Sequence, residues 1–121
     1  PYLAEVERQV RVIDLKAGRL IRALPKLVRY LRRERPAATL SGLDHANVVA
    51  LLARDLSRVP SRCVISMRSV PSEVYSRAGS PRSRILLRFL RRTYRRADAI
   101  VANSQAVAAD LERLLGPPLP P

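Results

Sequence analysis

Cysteine is nearly missing from this sequence. Cys63 is the only one, so no internal disulfide can form and stability has to come from packing. Cys63 lies in the apolar run Cys63-Val64-Ile65, which reads as a buried, inert thiol in a reducing, cytosolic setting. Tryptophan is absent and aromatics make up 4% of the residues, leaving Leu, Val, Ile and Ala to build the core. No stretch approaches the ~20 uncharged apolar residues that span a bilayer. Glu5, Glu7 and Arg8 interrupt any basic-then-apolar signal sequence. Catalytic signatures are also lacking: there is no Walker loop, GxGxxG run, HExxH or GxSxG elbow. One histidine, His45, and one cysteine cannot make a metal cluster, so no bound metal or cofactor is expected. Asp14, Asp44, Glu73 and Asp98 fall on separate connections, so no acid/base pair of carboxylates stands out.

Arginine, by contrast, is abundant. The chain carries 23 Lys and Arg against 10 Asp and Glu, for a net charge of +13, and only Lys16 and Lys26 are lysines. Charge of this size favours anionic partners such as lipid headgroups, nucleic acid or phosphorylated substrates. A coding bias toward Arg and Ala would give the same excess. With 121 residues, 47% of them hydrophobic, the chain is one globular domain or less.

The apolar residues alternate between short runs and helical stripes. Val10, Val12 and Ile13 predict a short strand ending at Asp14. Leu20, Ile21, Leu24, Leu27, Val28 and Leu31 share one face of a helix. Pro25 implies a kink, or a start close to Leu24, and Glu34-Arg35-Pro36 closes the element. Ala37 to Ser41 predicts a second strand, 46–56 a second helix, and 62–67 a third strand apolar enough to be buried on both sides. Residues 68–81, serine-rich and holding Pro71 and Gly79, show no periodicity and read as a functional loop. A helix follows from about Pro81 to Arg96, then a strand over 99–102. Ser104 is a fitting N-cap for a last helix ending at Gly116. Strict alternation of this kind implies an α/β fold, a Rossmann-like parallel sheet with helices on both faces. Ligands of such sheets bind beyond the carboxyl ends of the strands, where strand order reverses. The relevant positions are Asp14, Ser41 to Asp44, Met67 to Ser69, and Asn103-Ser104.

His45 stands at such a junction, beside Asp44 and Asn47, where a helix N-terminus favours an anionic or polar ligand. Capping of the helix by Asp44 or His45 is the alternative. Arg68 opens the irregular loop, where a guanidinium could hold a phosphate or carboxylate in bidentate fashion. It could equally be an ordinary surface arginine. Arg84, Arg88, Arg91, Arg92 and Arg95 line one face of the third helix, opposite Ile85, Leu86, Phe89 and Leu90. That pattern suits an anionic membrane surface or a simply solvated face. Nucleic acid fits less well, since no stacking platform or known DNA-binding module is present.

Four segments then bear a family resemblance. The run from Ala23 to Pro36 followed by Ala38-Thr39-Leu40-Ser41, the segment Leu43-Asp44-His45-Ala46-Asn47-Val48-Val49-Ala50-Leu51-Leu52-Ala53, the strand and turn from Val64 to Ser72, and Tyr94-Arg95-Arg96-Ala97-Asp98-Ala99-Ile100-Val101-Ala102-Asn103-Ser104 are similar, in order and spacing, to the acceptor-side domain of bacterial family 4 glycosyltransferases. One departure is Met67, where related sequences often have a glutamate before the turn arginine. The resemblance, covering about Val12 to Leu115, implies part of the N-terminal domain of a two-domain GT-B enzyme. Residues 1–116 would belong to that domain, and 117–121 would begin the interdomain linker. The glycine-rich loop near the donor phosphates and the carboxyl-terminal donor-binding domain would lie outside these residues. The whole enzyme would transfer a sugar from a nucleotide sugar to a glycan or lipid-linked acceptor, with retention of configuration and no bound metal. The residues here would be inactive alone. His45 would contact the transferred sugar or acceptor, with Arg68, Asn47, Ser104 and the loop through Ser80 on the acceptor side. The expected location is the cytoplasm, with contact at the inner membrane face. A basic nucleic-acid- or membrane-binding module without catalysis is the alternative.

Overall fold

The computed structural model describes residues 10–70 and 81–121, with side chains for all of these except 20 and 81–83. After a 3-10 turn at Leu20–Ala23, the elements are α1 (Leu24–Glu34), β1 (Ala38–Gly42), α2 (Asp44–Ser57), β2 (Arg62–Met67), α3 (Pro81–Tyr94), β3 (Ala99–Ala102) and α4 (Gln105–Leu115). The strands form one parallel sheet in the order β1-β2-β3. This is the expected Rossmann-like α/β arrangement, except that among the described residues the helices gather on one face of the sheet and not on both.

Local sequence explains most of the boundaries. Pro25 falls in the first turn of α1, where its missing N–H costs nothing, so the helix starts there and is not kinked. Arg35, preceding Pro36, leaves the helix in the left-handed region with φ 45°. Ser104 is extended, and its Oγ accepts from the Val107 amide at 3.3 Å, which satisfies one of the orphan donors of α4. Gly116 ends α4 at φ 64°, and a Cβ there would stand 3.2 Å from Arg91 Nη2. Glycine therefore suits both the backbone and the space.

The expected strand over 10–14 does not form. Val10, Val12 and Ile13 are exposed, and the segment is tied to α1 instead of to a strand. Arg11 pairs with Glu34 at 2.8 Å, and Lys26 Nζ donates to the carbonyls of Leu15 and Lys16 at 2.8 and 3.1 Å. Asp14 Oδ1 accepts from the Lys16 amide at 2.7 Å, an Asx-type turn that ends extended structure. The alternation of apolar residues was genuine, but no ladder is available to it among the described residues.

β2 is the middle of the sheet. Cys63, Ile65 and Met67 point to one face and are wholly buried, in one cluster with Leu51, Leu90, Tyr94, Val107, Leu111 and Leu115. Burial also pushes the Cys63 thiol up from its ordinary range, leaving it un-ionised and unreactive. Thr39, Ser41, Ile100 and Ala102 share this face through the parallel register. Helix α2 packs on both β1 and β2, α3 packs on α2 and α4, and α1 packs on α2. The opposite face presents Leu40, Val64 and Val101, and Leu40 and Val101 are exposed. Among the described residues, then, one side of the sheet carries the core.

The start of β3 is fastened to its neighbours by polar groups. Asp98 exchanges two hydrogen bonds with Cys63, its amide donating at 2.9 Å and its Oδ2 accepting at 2.7 Å. Arg54 of α2 donates to the same Oδ2 and to the Arg96 carbonyl, both at 2.6 Å. Asp55 pairs with Arg54 at 2.9 Å and with Arg96.

Ile65→Ala should cost about 2–5 kcal/mol, while Leu40→Ser on the open face should stay within about 0.5 kcal/mol. Urea denaturation of the two variants checks the assignment of the buried side.

Candidate functional site

The carboxyl ends of β1 and β2 are drawn together by a small polar cluster. Asn47, in the first turn of α2, is wholly buried. Its Nδ2 donates to the Ser66 carbonyl at 3.0 Å and contacts the Met67 sulfur at 3.3 Å. Its Oδ1 has no hydrogen-bond partner among the described residues. Ser69 donates to Asp44 Oδ2 at 2.5 Å, tying the exit from β2 to the entry into α2. Tyr94, from the end of α3, directs its hydroxyl to the Asp44 carbonyl at 3.4 Å. The Asn103 amide donates to the Met67 carbonyl at 3.2 Å, which brings the end of β3 alongside.

The entry into α2 is strained. Leu43 occupies the N-cap position at φ 81°, ψ 134°, and among the described residues no side chain caps the helix. Neither Asp44 nor His45 performs the capping that local sequence also allowed: Asp44 is bonded to Ser69, and His45 is exposed. A leucine at positive φ costs on the order of 1–3 kcal/mol and persists only where its surroundings fix it. Here Asn47 and Asp44 fix the first turn from the far side. Gly42, one residue earlier, belongs to β1, so the position that would suit glycine holds a branched side chain.

The anticipated site residues separate into groups. His45 and Asn47 share the first turn of α2, the ring at the surface and the amide in the interior. Arg68 is exposed at the exit from β2. Ser104 lies at the end of β3 with its hydroxyl engaged as the α4 cap. The loop expected to shape the acceptor side lies outside the described residues over 71–80. Strand order runs straight through β1-β2-β3, so no reversal occurs among the described strands. Of the five arginines expected along the third helix, Arg91 on α3 and Arg95 just past its end reach the end of α4, donating to the Leu115 carbonyl. Arg95 also reaches the carbonyls of Gly116 and Pro117 at 3.1 and 3.2 Å. Arg84, Arg88 and Arg92 are exposed. Residues 117–121, expected to begin a linker, lie against β3, where the Pro121 carbonyl accepts from Ile100 at 2.7 Å.

His45 borders a groove of about 330 Å³ between α2 and α3, lined also by Ile21, Val48, Leu86 and Phe89. Among the described residues no group of three or more His, Cys, Asp and Glu could hold a metal ion. None of the described helices is long and apolar enough to cross a membrane.

A parallel α/β sheet with an exposed imidazole at a strand end is common to many enzymes, so relationship has to decide between them. The sequence profile of the glycosyl transferase 4-like domain matches residues 1–120. The chain belongs to this family. No curated protein matches it at a significant level. In this glycosyl transferase 4-like domain, sequence alone pointed to His45 and Arg68. Leu43 and the groove escaped it, because a backbone angle and a space between two helices leave no local pattern.

Leu43→Gly should raise stability by roughly 1 kcal/mol by relieving the positive φ, and Leu43→Val should lower it. Thermal unfolding of the pair checks that the strain is present.

Proposed function

We propose that this domain forms the acceptor-facing wall of an enzyme that transfers a sugar from a nucleotide-sugar donor to an acceptor hydroxyl, with retention of configuration. In that reaction the bond from the anomeric carbon to the nucleotide phosphate breaks, the acceptor oxygen takes the same carbon, and the nucleoside diphosphate departs. The family match carries this reading, and the placement of His45 supports it. An exposed imidazole on the first turn of α2 offers a hydrogen bond to a sugar hydroxyl at the carboxyl end of β1. The strained connection before it, and the buried Asn47 that ties α2 to the end of β2, limit how far it can shift. Arg68, exposed at the neighbouring strand end, is positioned to meet an anionic group of the acceptor. Asn47 serves this arrangement from within by holding α2 to the end of β2.

The donor's nucleotide is bound, on this reading, by a separate carboxyl-terminal domain, and the 121 residues alone turn over no sugar. A polypeptide uniting this domain with a donor-binding domain should lose about ten- to a hundredfold in kcat/KM on His45→Ala, the worth of one or two hydrogen bonds to a developing charge. Radiolabelled sugar transfer measures it. An unchanged kcat/KM would remove His45 from the site, and turnover by the 121 residues alone would overturn the division between two domains.

A further inference from the structure

Helix α3 combines two features that water alone does not favour together. Ile85 is 70% exposed, Leu86 41% and Phe89 45%, while Ile21 beside them is 60% exposed. Around the same helix follow Arg84, Arg88 and Arg92, exposed and without a hydrogen-bond or ion-pair partner among the described residues. On a helical projection at 100° per residue, Leu90 and Tyr94 face the core. Ile85, Leu86 and Phe89 occupy the adjoining stripe, and the arginines the next. The arrangement differs from the one sequence suggested: Ile85, Leu86 and Phe89 border the arginines, where they were expected opposite them.

We propose that this face of α3, with Ile21, rests on a lipid bilayer surface containing anionic phospholipid. Ile85, Leu86 and Phe89 enter the boundary between headgroups and acyl chains, and Arg84, Arg88 and Arg92 meet lipid phosphates. Charge decides among the possible occupants. A second copy of the chain would oppose arginine to arginine on a molecule already carrying +13. Nucleic acid would satisfy the arginines but leave Ile85 and Leu86 in water. An anionic bilayer satisfies both stripes at once. The groove between α2 and α3 then opens at the membrane, with His45 on its wall. The acceptor that reaches His45 is accordingly an anionic lipid presented from that surface. This last step rests on the transferase reading; the docking itself does not.

Co-sedimentation with phosphatidylcholine vesicles, with and without phosphatidylglycerol, tests the docking without any turnover. The chain should bind only the anionic vesicles. Arg84→Glu, Arg88→Glu and Arg92→Glu together should weaken binding about a hundredfold. Phe89→Ser should weaken it about tenfold at unchanged charge, and Ile85→Ser, at a more exposed position, severalfold. Arg29→Glu, Arg35→Glu and Arg58→Glu, which change the charge equally on other surfaces, should cost far less. Circular dichroism confirms that each variant is folded. Equal losses in the two charge-reversed triples would mean attraction by net charge alone and would overturn the proposal. So would insensitivity to both serine variants. Self-association or oligonucleotide binding abolished by the first triple, with no vesicle binding, would assign the face to another partner. Loss of vesicle binding with sugar transfer to a soluble acceptor intact would sink the lipid acceptor while sparing the transferase.

Discussion

Tyr94 joins the two halves of this domain. Its ring is wholly buried in the cluster formed by Cys63, Ile65, Met67 and Leu90, and its hydroxyl reaches the Asp44 carbonyl. The end of α3 is thereby fixed to the beginning of α2, across the buried face of β2. A three-stranded sheet offers little area to pack against, and here the helical cover lies on one side among the described residues. Helices α2, α3 and α4 therefore all bring side chains to the same narrow strip of β2, while α1 packs on α2. The first turn of α2, with its strained Leu43 and exposed His45, is held by this packing and by Asn47, since among the described residues no side-chain cap supports it.

Arginine has at least two different uses in the structure. Arg32 of α1 donates to the Leu56 carbonyl at 2.9 Å, and Arg91 and Arg95 donate to that of Leu115. In each case a cation from one helix satisfies the open carbonyls at the carboxyl end of another, where the helix dipole favours it. Arg54 links α2 to Asp98 and thus to the junction of β2 and β3. These arginines account for part of the basic excess as architecture. Arg84, Arg88 and Arg92 have no such task among the described residues, and their place next to exposed apolar side chains sets them apart.

Much of this was legible in the sequence because the signals were local. The four residues of β3, the six of β2, the Ser104 cap and the Gly116 stop each depend on neighbours within a few positions. The segment 10–14 misled because its apolar alternation says nothing about whether a partner strand stands beside it. Its polar groups found α1 instead. For the candidate site, the position of His45 at a strand–helix junction was readable, and so was the family likeness. The strain at Leu43 was not, since Gly42 next to it was the natural choice for an unusual backbone angle. Nor could sequence show that Ile85, Leu86 and Phe89 remain at the surface. Helical periodicity gives an apolar face, and only the packing of α3 on α2 and α4 shows that the core takes Leu90 and Tyr94 and leaves the others out.

The most direct test of the account is photo-crosslinking with an anionic phospholipid bearing a diazirine in its acyl chain, the modified residues being located by peptide mass spectrometry. The account requires adducts concentrated in the first turns of α2 around His45 and Val48, and on α3 at Ile85, Leu86 and Phe89. Adducts confined to the open face of the sheet at Leu40 and Val101, or spread evenly over the surface, would contradict it.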